Sequence, residues 1–131
     1  MKIIVTGQPV PKGRPRLSNG HTYTPPKTRQ YEKRIKQAWK EQSGEHLNGP
    51  LKLILTAYFS IPASKSQTIK EKMAVGEILP TKRPDLDNII KVIDALNGLA
   101  FDDDCQIVEV TARKLYSHEP RLEIEIGVAN T

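Results

Sequence analysis

The chain predicts a mixed α/β fold, a single small domain whose sheet of about four strands is covered by helices. Three observations carry that prediction. Apolar residues alternate as in strands over four segments, two helix-type stripes lie between them, and 131 residues suffice for one core but not comfortably for two. A composition of 37% hydrophobic and 27% charged residues suits a soluble domain. No apolar run approaches the ~20 residues that cross a bilayer. The opening MKIIVTGQPVPKG turns to Pro, Lys and Gly before a signal-peptide core can form, so a soluble, cytoplasmic protein is expected.

Ile3 to Val5 predict a short opening strand, and residues 8–25, rich in Pro, Gly, Asn and Ser, predict a long exposed basic loop. From about Pro26 the period becomes helical. Tyr31, Ile35, Ala38 and Trp39 share one face and Arg29, Lys33, Lys36 and Lys40 another, with a stop near Ser43 and Gly44. Trp39 therefore reads as core, whereas Tyr23 could stack on a base. Leu51, Leu53, Leu55, Ala57 and Phe59 alternate as a half-buried strand that Pro62 closes. SKSQTIKEKMAVG predicts a short helix capped by Ser66. Pro84 keeps the approach to Asp85 extended, and helix resumes after Asp87 with Ile89, Ile90, Ile93 and Leu96 buried before Asn97 and Gly98 end it. Val108, Val110 and Ala112, then Leu122, Ile124 and Ile126, alternate as two strands, expected to form an antiparallel pair joined around His118 to Pro120.

Charge is distributed unevenly. The net charge is +5, yet residues 1–42 alone carry ten basic side chains against Glu32 and Glu41. Such a polycation favours a polyanionic partner. Lys12, Arg14 and Arg16 in the loop, with Lys27 and Arg29 beyond it, are candidate phosphate contacts or else merely solvated. All six aspartates, Asp85, Asp87, Asp94, Asp102, Asp103 and Asp104, fall in one window of twenty residues, while the nine glutamates show no such confinement. Short carboxylates gathered in this way suit a hard divalent cation. A single cysteine, Cys105, excludes a disulfide framework and a thiolate zinc cage, and His21, His46 and His118 lack metal-ligand spacing. Any metal would be held by oxygen.

Asp85 and Asp87, two apart on extended chain, would emerge on one side and could share an ion; alternatively Asp87 is a helix N-cap. Lys91 and Asp94 follow Asp87 on one helical face, either as site residues or as a surface ion-pair ladder. The run Asp102 to Asp104 is either a solvated turn or a third acidic group delivered by tertiary structure. An EF-hand loop starting at Asp85 fails, because Ile89, Ile90 and Leu96 occupy its fifth, sixth and twelfth positions. A phosphatase nucleophile would need a buried apolar strand ahead of it, which ILPTKRP is not. Metal-assisted phosphodiester hydrolysis, with a lysine to offset charge, accommodates every piece.

PDLDNIIKVIDALNG at 84–98, DDDCQIVE at 102–109, GQPVPKGRPR at 7–16 and YTPPKTRQYE at 23–32 resemble the RusA family of Holliday junction resolvases. These are small homodimeric endodeoxyribonucleases often carried by phages and prophages. The resemblance implies a mixed α/β sheet and a homodimer with two acidic sites on one basic face. It also implies symmetric nicking of branched DNA in recombination and repair, leaving 5′-phosphate and 3′-hydroxyl ends. By the same resemblance Asp85, Asp87 and Asp104 are metal-binding carboxylates, Asp103 is the acidic neighbour of the third, and Lys91 is the catalytic lysine. Mg²⁺ is the implied cofactor, with Mn²⁺ able to substitute. Asp94 occupies a family aspartate position and is assigned a supporting role. Three consecutive aspartates stand where the family usually has two, so placing Asp104 in the site depends on aligning Gln106 with the family glutamine; a slip of one residue substitutes Asp103. Competing readings are a non-catalytic DNA-binding module, a metal-dependent phosphatase or nucleotidyl enzyme acting on small substrates, and a protein-interaction adaptor.

Overall fold

A computed structural model describes residues 1–129. In chain order the elements are strand β1 (Lys2–Thr6), strands β2 (Arg16–Ser18) and β3 (His21–Tyr23), helix α1 (Pro26–Gln42) and strand β4 (Leu51–Ser60). Helices α2 (Gln67–Ala74) and α3 (Leu86–Ile90) follow, with 3₁₀ segments at Lys91–Leu96 and Asp104–Gln106, then strands β5 (Ile107–Ser117) and β6 (Arg121–Val128). One mixed sheet has the order β1-β6-β4-β5, parallel between β4 and β5 and antiparallel elsewhere. This is the fold class the sequence predicts. No helix among the described residues is long and apolar enough to cross a membrane.

The alternation read from the sequence fills one face of the sheet. Leu51, Leu53, Leu55, Ala57 and Phe59 of β4 point inward beside Leu122, Ile124 and Ile126 of β6 and Ile3 and Val5 of β1. Tyr31, Ile35, Ala38 and Trp39 of α1 close over them with Ile89, Val92, Ile93 and Leu96. Each such aliphatic side chain contributes about 1.5–3 kcal/mol by leaving water. Trp39 is fully buried, as expected of core, and its Nε1 donates to the Glu45 carbonyl at 2.9 Å. Helix α1 ends at the expected place, with Gly44 left-handed (φ 74°). Ser66 caps α2 by accepting from the Ile69 amide.

The structure departs from the sequence reading in three places. First, β5 and β6 are not paired: β4 lies between them, because the strand with the most continuous buried face takes the centre of the sheet. The short 118–120 connection therefore crosses the C-terminal end of β4, tied by Arg121 to Ser117 Oγ and the Glu119 carbonyl. Second, the basic loop contains the small antiparallel hairpin β2–β3, turning at Asn19 (φ 51°) and Gly20 (φ 78°). Asn-Gly between short runs is the local signal for it. Third, the helix after Pro84 starts at Leu86 and tightens to 3₁₀ at Lys91. Asp87 is consequently within the first turn, and the alternative of an Asp87, Lys91, Asp94 ion-pair ladder does not form: Lys91 approaches Asn88 and Asp94 pairs with Lys12.

Candidate active site

Three segments meet at the edge of the sheet. The strap Lys12–Pro15 crosses in front of α3, α3 and its 3₁₀ extension carry Asp85 to Asp94, and the turn Asp102–Gln106 leads into β5. The strap is pinned on both sides: the Lys12 amide donates to the Asn88 carbonyl at 2.9 Å and the Gly13 amide to Thr28 Oγ1 at 2.9 Å. Strand β5 runs beside the approach to Asp85, since Lys114 Nζ donates to the Lys82 and Pro84 carbonyls at 2.7 and 2.9 Å. The aspartate turn, at the other end of β5, meets the 3₁₀ extension of α3 where Asp104 faces Asp94.

A cavity of about 340 Å³ is lined by Asp85, Asp87, Asn88, Lys91 and Asp94 together with Lys12 and Arg14. Asp85 precedes the helix in an extended conformation, yet its carboxylate makes no cap hydrogen bond. Neither Asp85 nor Asp87 forms an ion pair among the described residues. Lys91 Nζ donates weakly to Asn88 Oδ1 at 3.4 Å. Adjoining this cavity is a larger groove of about 770 Å³, whose lining includes Arg14, Lys27, Arg83 and Asp85. Acid and base thus share walls.

Asp94 connects the two acidic groups. It lines the cavity with Asp85 and Asp87, its Oδ2 accepts from Lys12 Nζ at 2.9 Å, and its carboxylate hydrogen-bonds Asp104. Asp104 also hydrogen-bonds Asp103. Hydrogen bonding to these two carboxylates, with some burial and their negative charge, raises the Asp104 carboxyl to about 6. Burial opposes ionisation of Asp94, but the bonds from Asp104 and Lys12 outweigh it and hold Asp94 below the ordinary carboxylate range. Asp103 is also lowered, first by Asp104 and then by Cys105. Below about pH 6 one proton is held at Asp104 between the ionised Asp94 and Asp103.

Asp103 begins the 3₁₀ turn in a capping box whose other member is Gln106. Gln106 Oε1 accepts from the Asp102 and Asp103 amides at 2.9 and 3.1 Å, while its Nε2 donates to the Gly49 carbonyl at 3.0 Å. Asp102 points elsewhere, to His46 Nε2 at 2.8 Å.

Among the described residues, no three His, Cys, Asp or Glu side chains stand close enough together to hold a metal ion. The donor chemistry nevertheless fits a hard divalent cation: the acids are all aspartates, and Asp104 faces two others that raise its carboxyl to about 6. Of the residues singled out from sequence, Asp85, Asp87 and Lys91 share one cavity, and Asp103 and Asp104 reach it through Asp94. Arg14 and Lys27 line the groove, Arg16 lies beside a neighbouring apolar cavity, and Arg29 lines none of these three. Lys12 is held by Asp94 and by Glu32 at 3.7 Å, so it braces the site. Sequence reasoning missed Arg83, Asn88 and the brace, and used Gln106 only as an alignment point. Asn88 follows Asp87 directly, but nothing local marks a brace between residues 82 positions apart.

Residues 6–127 match the family model described as Endodeoxyribonuclease RusA. The chain is 37% identical over 134 residues to the Uncharacterized protein YqaN of Bacillus subtilis (strain 168), a match covering 96% of this chain and 94% of that protein. It is 38% identical over 81 residues to the Crossover junction endodeoxyribonuclease rusA of Lactococcus phage r1t, covering 60% of this chain and 55% of that one.

Proposed function

Because this chain belongs to the RusA endodeoxyribonuclease family, we propose that it is a Mg²⁺-dependent resolvase that nicks four-way DNA junctions at two symmetry-related phosphodiesters. One observation carries this reading: Asp85, Asp87, Asp94 and Lys91 line a cavity continuous with a groove walled by Arg14, Lys27 and Arg83. A polyanion drawn to that groove meets clustered carboxylates it would otherwise avoid. That juxtaposition favours phosphodiester chemistry over an acidic patch that only limits non-specific binding.

Arg14, Arg16 and Lys27 hold backbone phosphates, so affinity falls steeply with salt. Asp85, Asp87 and Asp104, with Asp103 and Asp94 beside the third, would hold the cation. When bound it lowers the pKa of a coordinated water and offsets charge on the phosphate. Lys91, exposed at the cavity wall, places its ammonium against the same phosphate. Lys12 keeps Asp94 ionised and positioned through their 2.9 Å contact. Asp104, raised to about 6, is ionised at neutral pH beside Asp94 and Asp103, so a bound cation would offset the charge these three carboxylates share. The products are 5′-phosphate and 3′-hydroxyl ends.

Paired nicks call for a homodimer. The outer edge of β5 supports one: Val108 is 65% and Val110 45% exposed on an edge strand. Antiparallel pairing centred on Thr111 would set Glu109 of one copy opposite Arg113 of the other.

The deciding experiment compares nicking of a synthetic four-way junction by the parent, Asp87→Asn and Lys91→Ala in Mg²⁺, with junction affinity measured in parallel. Cutting should fall about 100-fold or more in both variants, with binding retained or strengthened. Undiminished cutting by Asp87→Asn, or binding by the parent with no cutting in Mg²⁺ or Mn²⁺, refutes the reading. Turnover of free nucleotides that ignores Arg14→Ala and Arg16→Ala would establish a small-substrate enzyme instead.

A further inference from the structure

A second cavity, of about 360 Å³, lies on the other side of the strap from the acidic one. Its walls are Val10, Pro15 and Pro25, and Arg14, Arg16 and Lys27 stand around it. Gly13, Arg14 and Pro15 line both cavities, so a single thickness of chain separates them. The divider is fixed: Lys12 is tied to Asn88 and Asp94, and Gly13 to the buried hydroxyl of Thr28. A Cβ on Gly13 would come within 3.0 Å of Thr28 Oγ1 and 3.1 Å of Pro25 Cγ, so the strap packs against the helix with no room to spare.

From this geometry we infer that the second cavity receives one unstacked nucleobase of the strand whose phosphate enters the acidic cavity, and so sets the base preference of cutting. The inference rests on the endonuclease reading above. Three features select the occupant. The walls are apolar and the cavity is of a size that ordinarily encloses a small ligand, which suits the flat faces of a heteroaromatic ring. Thr28 hydroxyl accepts from the Gly13 amide and is buried beneath the strap, so base choice comes from the shape of the walls. The surrounding cations match the phosphates on either side of an extruded base, and α1 presents its N-terminal end here with no acidic residue in its first turn. Taking a base out of the stack costs a few kcal/mol, and least where pairing is already interrupted. A branch point offers such a base and a continuous duplex does not, so the cavity ties recognition of branched DNA to base choice.

2-Aminopurine, whose fluorescence rises when it leaves the stack, tests this when placed in turn at each nucleotide flanking the cut. Parent protein is added at saturation in Ca²⁺, with complex formation confirmed by gel shift. One position should brighten by about threefold or more. Pro15→Leu, which enlarges an exposed strap residue at the cavity wall, should abolish that rise and reduce the rate difference between the best and worst base at that position. No brightening at any position with an intact, Mg²⁺-competent junction complex overturns the inference and leaves the resolvase reading standing. So does brightening that survives Pro15→Leu. A parent that cannot cut junctions in Mg²⁺ brings down both.

Discussion

Replacing Asp104 with asparagine should make the metal-free protein more stable while removing its activity. Asp104 keeps a proton to about 6 because Asp94 and Asp103 face it. At pH 7 the metal-free fold must ionise it against them. A rise of that size is worth ~3 kcal/mol at full strength. Asp104 is only partly buried, and Asp94 and Asp103 recover some of the cost through their own lowered values. After that and solvent screening, about 1 kcal/mol remains. An asparagine amide still donates to Asp94 or Asp103, so the hydrogen bond survives without the charge. The sign follows from the raised value: the proton's contribution is complete below the ordinary carboxylate pKa and is lost as pH climbs through about 6. The parent should therefore lose stability between about pH 4 and 6 relative to Asp104→Asn. At pH 7 without divalent ions the variant should melt ~4 °C higher. Adding Mg²⁺ or Mn²⁺ should raise the parent's melting temperature and leave the variant nearly unmoved. Calorimetry across pH, with and without EDTA, reads all of this. A variant less stable than the parent in EDTA at pH 7, or one with the parent's pH profile, refutes the idea that crowded carboxylates strain the metal-free site.

Three further outcomes are expected. His46 is raised by its bond to the Leu99 carbonyl and then by Asp102, so its hold on Asp102 is complete in acid and fades as pH rises through the raised value; in Asp102→Asn its NMR titration midpoint should move down. Arg14→Ala with Arg16→Ala should weaken junction binding for every sequence alike and reduce the slope of log affinity against log salt by about 2, whereas an unchanged slope would return both residues to solvated surface. Val110→Lys places a charge on the exposed β5 edge and should shift the chain from dimer to monomer in sedimentation, reducing paired nicks more than single nicks; a monomeric parent would remove the edge-pairing scheme.

Most of the fold was legible because its signals are local. Tyr31, Ile35, Ala38 and Trp39 recur at helical spacing, and Leu51 to Phe59 alternate at strand spacing, so each declares its buried face within a dozen residues. The candidate site was legible for a related reason: six aspartates confined to one window, beside a polycationic third, single out through composition alone the segments that line the acidic cavity. Pairing and convergence were not. The insertion of β4 between β5 and β6 depends on which strand the whole core buries best, a property of no single segment. Likewise the Lys12–Asp94 brace, the turn of Asp104 toward Asp94, and the strap that separates an acidic cavity from an apolar one join residues remote along the chain. Side-chain type and local period are fixed by the sequence as written, but the energy that selects these neighbours arises only when distant segments bury one another.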